Sequence, residues 1–251
     1  MAGRGGYRLQ RLSRARLALA AGQEMTRKRH LMFALVEADL TEPLRRMADH
    51  KARSGESLSL SGYVATCLAR TLREFPEVNA FRRGRSLVLL DEVIVVVLLE
   101  RRIDAQSAVA YVPIRGADRK TLVDVTHEIR AEQAAEPRIV AGQRWMESVP
   151  VILTPLVFGI ASRSIGWALK FGVAGVNNVG VGQEVTGWGL APGAGTVAVT
   201  IGGIESRPSS DGTIRRIAHL TLSFDHDVVD GAPAARFAAR LLEHHAAGQI
   251  A

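Results

Sequence analysis

The sequence predicts a mixed α/β fold, and three observations carry that reading. Runs patterned at the strand period alternate with runs patterned at the helix period along most of the 251 residues. One run, 93–99, is apolar on both faces, as a strand central in a sheet must be. An apolar fraction of 47% can fill a sizeable core at this length. No internal repeat or linker breaks the pattern, so 12–251 is expected to form one domain behind a disordered segment, 1–11.

Ser13 is placed to cap a first helix over 12–21. Residues 30–39 alternate as a strand, and Thr41 is placed to cap a helix from Glu42 to about Ser54, ended by a turn at Gly55. A longer helix over 60–75 is stopped by Pro76. Strands are expected over 85–90, 93–99 and 109–114, and the basic stretch 115–120 leads into a helix over 121–135.

Residues 145–171 are mostly apolar, but Pro150, Pro155, Gly159 and Arg163 interrupt them too often for a membrane span of about 20 residues. A buried or pocket-lip helical hairpin is expected there, with contact to a membrane surface or an acyl chain as the alternative. Ser162 and Ser164 lack the Gly-x-Ser-x-Gly elbow of a hydrolase and are read as capping or surface residues. The glycine-dense stretch 172–203 allows close backbone approach and can frame a substrate, but it is neither a phosphate loop nor a dinucleotide fingerprint. A strand over 196–201 follows, and Asp211-Gly212 marks a hairpin into the last strand.

That strand, with Leu220, Leu222 and Phe224 alternating, delivers His226 into a loop that Asp230 and Gly231 close before a final helix. Imidazole titrates near neutrality, so a histidine fixed at a strand end is a candidate general base for a thiol or hydroxyl. His219, on the same strand, reads as a surface or packing residue. His244 and His245 read as a fraying helix end, and Asn177 and Asn178 either as turn residues or as part of the site.

A net charge of +7 points to an anionic partner, for which phosphorylated cofactors and acidic proteins qualify. The basic residues are scattered and not interleaved with aromatics, so nucleic acid is not expected. The single cysteine, Cys67, sits in an apolar helical pattern as a core thiol, which fits a reducing compartment. No ligand spacing suggests a metal, and no secretory signal is apparent; a cytoplasmic location is expected.

Asp225-His-Asp-Val-Val-Asp-Gly231 with the Ala232-Pro-Ala-Ala-Arg-Phe237 run resembles the Asp-His-Arg-x-x-Asp-Gly signature of the 2-oxoacid dehydrogenase acyltransferase catalytic domains, and the helix after it. Glu74-Phe-Pro-Glu-Val-Asn-Ala80, the stretch 111–122 and Gly202-Gly-Ile-Glu-Ser-Arg-Pro208 agree in the same order. The resemblance implies a two-layer α/β sandwich of the chloramphenicol acetyltransferase kind, a mixed sheet covered by helices, assembled as trimers or multiples of trimers with active sites between subunits. It implies that His226 deprotonates a thiol of coenzyme A or dihydrolipoamide for attack on an acyl thioester, and that coenzyme A or acyl-coenzyme A is the substrate. It implies that Asp230 holds the loop, with Arg16 as its partner, and that Gly231 and Asn178 support the site.

Four departures accompany the resemblance. Asn177 stands where the family has a hydroxyl donor to the oxyanion, although an amide can still donate. Asp227 replaces the arginine beside the histidine, a change that can raise the imidazole pKa or alter which acyl carrier docks. The stretch 145–171 is longer and more apolar than the family's connection. No lipoyl or subunit-binding domain precedes the catalytic region, so a stand-alone form is expected, without an attached lipoyl group and served by a separate acyl-carrier or lipoyl protein. The alternative is a non-catalytic trimeric scaffold that binds an acidic partner.

Overall fold

The computed structural model describes residues 29–103, 106–135, 164–180, 186–193 and 195–248, plus 9, 12, 16, 17, 20, 26, 149, 150, 153, 156 and 157; for 101–108 it describes backbone alone. The expected disordered segment, most of the expected first helix and most of the apolar stretch 145–164 therefore lie outside the described residues. Arg16, Leu17 and Ala20 are helical.

The described elements are β1 (Leu31–Asp39), α1 (Thr41–Ser54), α2 (Leu60–Glu74), β2 (Ala80–Arg83), β3 (Ser86–Leu89), β4 (Ile94–Ile103), β5 (Gln106–Arg115), α3 (Leu122–Ala134), α4 (Ile165–Phe171), β6 (Ala174–Asn178), β7 (Val197–Pro208), β8 (Ile214–Asp225) and α5 (Gly231–Ala247). Six strands form one sheet in the order β1-β8-β7-β6-β4-β5, and β2 with β3 forms a separate hairpin. The pairs β4/β6 and β6/β7 are parallel; β1/β8, β7/β8 and β4/β5 are antiparallel. The mixed α/β expectation holds.

Helices cover one face. Tyr63, Leu68 and Leu72 of α2, Leu122 and Ile129 of α3, and Phe237 and Leu241 of α5 pack on Val95, Val97, Val199, Leu222 and Phe224 of the sheet. Burying such side chains contributes about 1.5–3 kcal/mol each. The two-sided apolar pattern of β4 is accounted for by this layering: Val95 and Val97 face the helices, while Val96 and Leu98 meet Phe171 and Trp167 on the other face. The sheet is thus covered by a short helix even where the main helical layer is absent.

Local signals set the helix ends. Ser59 accepts from Gly62 N–H (3.1 Å) at the start of α2, and Thr121 and Asp124 form a reciprocal capping box on α3. Thr41 departs from expectation: Leu40 occupies the cap position of α1, and the Asp39 carboxylate accepts from Thr41 N–H at 2.9 Å. The Thr41 hydroxyl instead accepts from Arg216 N–H of β8 (2.8 Å), so it joins α1 to the sheet rather than capping it. Ser164 caps α4, accepting from Trp167 N–H at 3.1 Å. The expected hairpin over 145–171 lies mostly outside the described residues; the described part is mainly this short helix, with Ala168 and Phe171 buried and Leu169 exposed.

Several glycines mark where main chains touch. A Cβ at Gly180 would collide with the carbonyl of Gly202, and one at Gly195 with the carbonyl of Val173. The close backbone approach expected of the glycine-dense region is therefore real at these positions.

Candidate active site

The strand β8 ends at Asp225, and the loop after it is held by main chain before any side chain acts. Asp225 N–H donates to Thr196 O (2.8 Å), His226 N–H to His30 O (2.7 Å), and Val228 and Val229 N–H both to Asp225 O (3.0 Å each). The Asp225 side chain is largely buried and accepts from Arg29 Nη1 at 2.6 Å, which also donates to Gly195 O (3.2 Å). A buried carboxylate needs such a partner, because an unpaired charge at this depth costs several kcal/mol. Sequence reasoning passed over Arg29; the available signal was an aspartate at the apolar end of a strand.

His226 rises from this anchored loop with its ring half exposed, and its Nδ1 lies 3.6 Å from the Asp230 carboxylate. Asp230 occupies the cap position of α5 without a side-chain cap hydrogen bond and is mostly exposed. Gly231 opens the helix with open space where a Cβ would stand. Asp227 sends one carboxylate oxygen to His30 Nδ1 (3.0 Å) and the other to Arg82 Nη1 of β2 (3.0 Å). The His30 hydrogen bond, with the Arg82 charge, holds the Asp227 carboxyl below its usual range. Both oxygens thus belong to a clamp that joins the start of β1, the histidine loop and the β2–β3 hairpin.

Asn177 and Asn178 end β6, two strands across the sheet from β8. Asn178 Nδ2 donates to Ser61 Oγ (3.2 Å) and its Oδ1 accepts from Gly180 N–H (3.3 Å), which ties β6 to the first turn of α2. Asn177 pairs with Thr200, which pairs with Thr221, five residues before His226 along β8. At about 3.4 Å per residue, Asn177 and His226 stand roughly 17 Å apart along the strand direction. A single chain does not bring the two together.

The remaining histidines divide. His219 is buried, stacked on Trp188 with centroids 4.3 Å apart, and accepts from Gly187 N–H at 3.2 Å, so packing is its role. His245 corrects the expected fraying: α5 runs on to Ala247, and His245 is fully buried against the edge of Tyr63. Its Nδ1 donates to Leu241 O (2.7 Å), Tyr63 Oη donates to its carbonyl (2.7 Å), and burial pushes its pKa down to about 4. Cys67 is a core thiol as expected, its pKa pushed up to about 12 by burial. Among the described residues no cluster of three or more histidine, cysteine or carboxylate side chains is placed to hold a metal ion, and no helix is long and apolar enough to cross a membrane.

Residues 177–245, which span Asn177, the histidine loop and most of α5, match the family model of the 2-oxoacid dehydrogenases acyltransferase catalytic domain. The fold matches a probable dihydrolipoamide acetyltransferase from Listeria monocytogenes over 97% of this chain and 96% of that one, at 19% identity and a TM-score of 0.71. The family model covers part of the chain, and the structural likeness shows that the fold is shared. The fold also matches the cubic core of a pyruvate dehydrogenase multienzyme complex, at 19% identity and a TM-score of 0.71 over 97% of this chain and 93% of that one. Chloramphenicol acetyltransferase shares its fold at 13% identity, with a TM-score of 0.53 over 90% and 94% of the two chains. A comparison with curated proteins gave no match.

Proposed function

We propose that this chain is an acyltransferase domain that moves an acyl group between two thiols, coenzyme A and a dihydrolipoyl group, with His226 as general base. The observation that carries the reading is a half-exposed imidazole on a loop fixed by main-chain hydrogen bonds and a buried ion pair. Asp230 near Nδ1 favours the tautomer that leaves Nε2 free to accept a proton. His226 Nε2 takes the thiol proton, the thiolate sulfur attacks the thioester carbonyl, and a new C–S bond forms. The tetrahedral intermediate collapses by breaking the old C–S bond, and the departing thiolate recovers the proton from His226. The proton count closes without a further reactant. General base catalysis of this kind supplies about 10²–10⁴ in rate.

The oxyanion needs a donor, and the Asn177 amide is proposed for it. The separation along the sheet requires that the donor come from a neighbouring copy, as in a trimer with sites between subunits. The cubic core among the similar structures supports assembly of this kind. Arg16 is proposed to support Asp230 in the assembled protein; both side chains are exposed in the single chain. The acyl carrier is proposed to be a separate lipoyl protein, and the setting a cytoplasmic one.

The test is acetyl transfer from acetyl-coenzyme A to dihydrolipoamide, measured beside native mass. Turnover that disappears in His226→Ala, by a protein whose mass is a multiple of three chains, is the expected result. A folded trimer without turnover would move the reading to a binding scaffold, and unaltered turnover in the variant would remove His226 from the chemistry.

A further inference from the structure

A pocket of about 250 Å³ lies away from the histidine loop, between the C-terminal end of α2, the loop before β2 and the turn at Ala117–Arg119. Two of its lining side chains hold acceptors with no hydrogen-bond partner among the described residues. Asn79 is 2% exposed and uses its amide NH₂ on Leu90 O (2.8 Å) and Glu92 O (3.2 Å), which fixes the flip and leaves Oδ1 unpaired. Asp118 has a side chain 9% exposed; its Oδ2 lies 3.4 Å from Arg73 Nη1, and its Oδ1 is unpaired. Buried polar atoms are almost always satisfied, so two orphaned acceptors in one pocket's lining ask for a donor.

The charge around them narrows the class of ligand. Arg73 and Arg119 line the same pocket beside Asp91 and Asp118, so the lining offers both signs of charge and suits a zwitterion better than a bare divalent cation. Leu72 and Leu90 supply an apolar wall. The volume falls below the range typical of drug-sized ligands and suits a molecule of a few heavy atoms. We propose that this pocket binds an apolar α-amino acid, with its ammonium on Asp118 and Asn79, its carboxylate on Arg73 and Arg119, and its side chain against Leu72 and Leu90. The site uses none of the residues assigned to acyl transfer and stands or falls independently of that reading.

The experiment is calorimetric titration of the full chain with L-leucine, with 4-methylpentanoate, which lacks the ammonium, with isoamylamine, which lacks the carboxylate, and with calcium chloride. Saturable binding of L-leucine, with each fragment at least about tenfold weaker, is expected, since a charged hydrogen bond is worth roughly a factor of ten or more. Asp118→Asn and Arg119→Gln should each weaken L-leucine by about ten- to a hundredfold. The exposed Arg119 keeps the test valid should Asp118→Asn unfold the protein. Failure of L-leucine to saturate, unchanged affinity in Arg119→Gln, or binding of calcium with L-leucine silent would each overturn the proposal.

Discussion

The two ends of α5 carry histidines in opposite conditions. Just before its N-terminus, His226 stands half in solvent on a loop anchored through its backbone. One turn from its C-terminus, His245 is sealed in the core, donating to Leu241 O with its pKa near 4. The same side chain is chemically usable at one end and a neutral packing element at the other, and the difference lies in exposure rather than in sequence neighbourhood.

The comparison is sharpened most by His226→Ala. Transfer is expected to fall by about 10²–10⁴ while the melting temperature stays within a few degrees, because the loop is held by main-chain bonds that alanine keeps. A comparable loss of stability would show that His226 is structural too. Next is Arg29→Ala, which leaves the Asp225 carboxylate buried without its partner; a cost of about 3 kcal/mol in denaturant unfolding is expected, and an unchanged midpoint would show that the loop does not depend on this pair.

At the other end the test is pH. Its ordinary pKa of 6.5 makes His245 in the unfolded chain bind a proton below that value, whereas the folded one resists to about 4. Its contribution is therefore fully present above pH 6.5 and is lost as pH falls toward 4, by no more than about 3 kcal/mol. His245→Phe, which keeps a ring beside Tyr63, should flatten stability across that window; an unaltered slope would mean other groups dominate it. The smallest effect is expected from Asp227→Asn. Its ion pairs with Arg82 and His30 are exposed, so stability should change by less than about 1 kcal/mol, with hydrogen exchange rising in 80–89 as the hairpin loosens. A larger loss would mean that the clamp bears on the core.

The ends of α5 also show what a sequence discloses. The placement of His226 between a strand end and a helix was legible because an alternating strand, a histidine, an aspartate and a glycine occur in one continuous run, and the family resemblance rests on that run. The burial of His245 was not, because two histidines before a terminus look alike in sequence whichever of them turns inward; the contact with Tyr63 comes from 182 residues away. Arg29 and Arg82 were missed for the same reason, since their partners Asp225 and Asp227 lie on another element. Thr41 carried a capping residue's chemistry but spent its hydroxyl on β8, where tertiary contact outweighed local preference. The strand order could not be read from periodicity, which says which residues face inward and not which strands are neighbours.

The contacts at Gly180 and Gly195 bear on how the protein tolerates change. Each lies where one main chain rests on another's carbonyl, so the smallest possible side chain is already too large. A library with every residue varied in turn should find these two positions among the least forgiving, alongside His226 if transfer is selected. Selection for folding alone would separate them, since His226 would become freely replaceable and the two glycines would not.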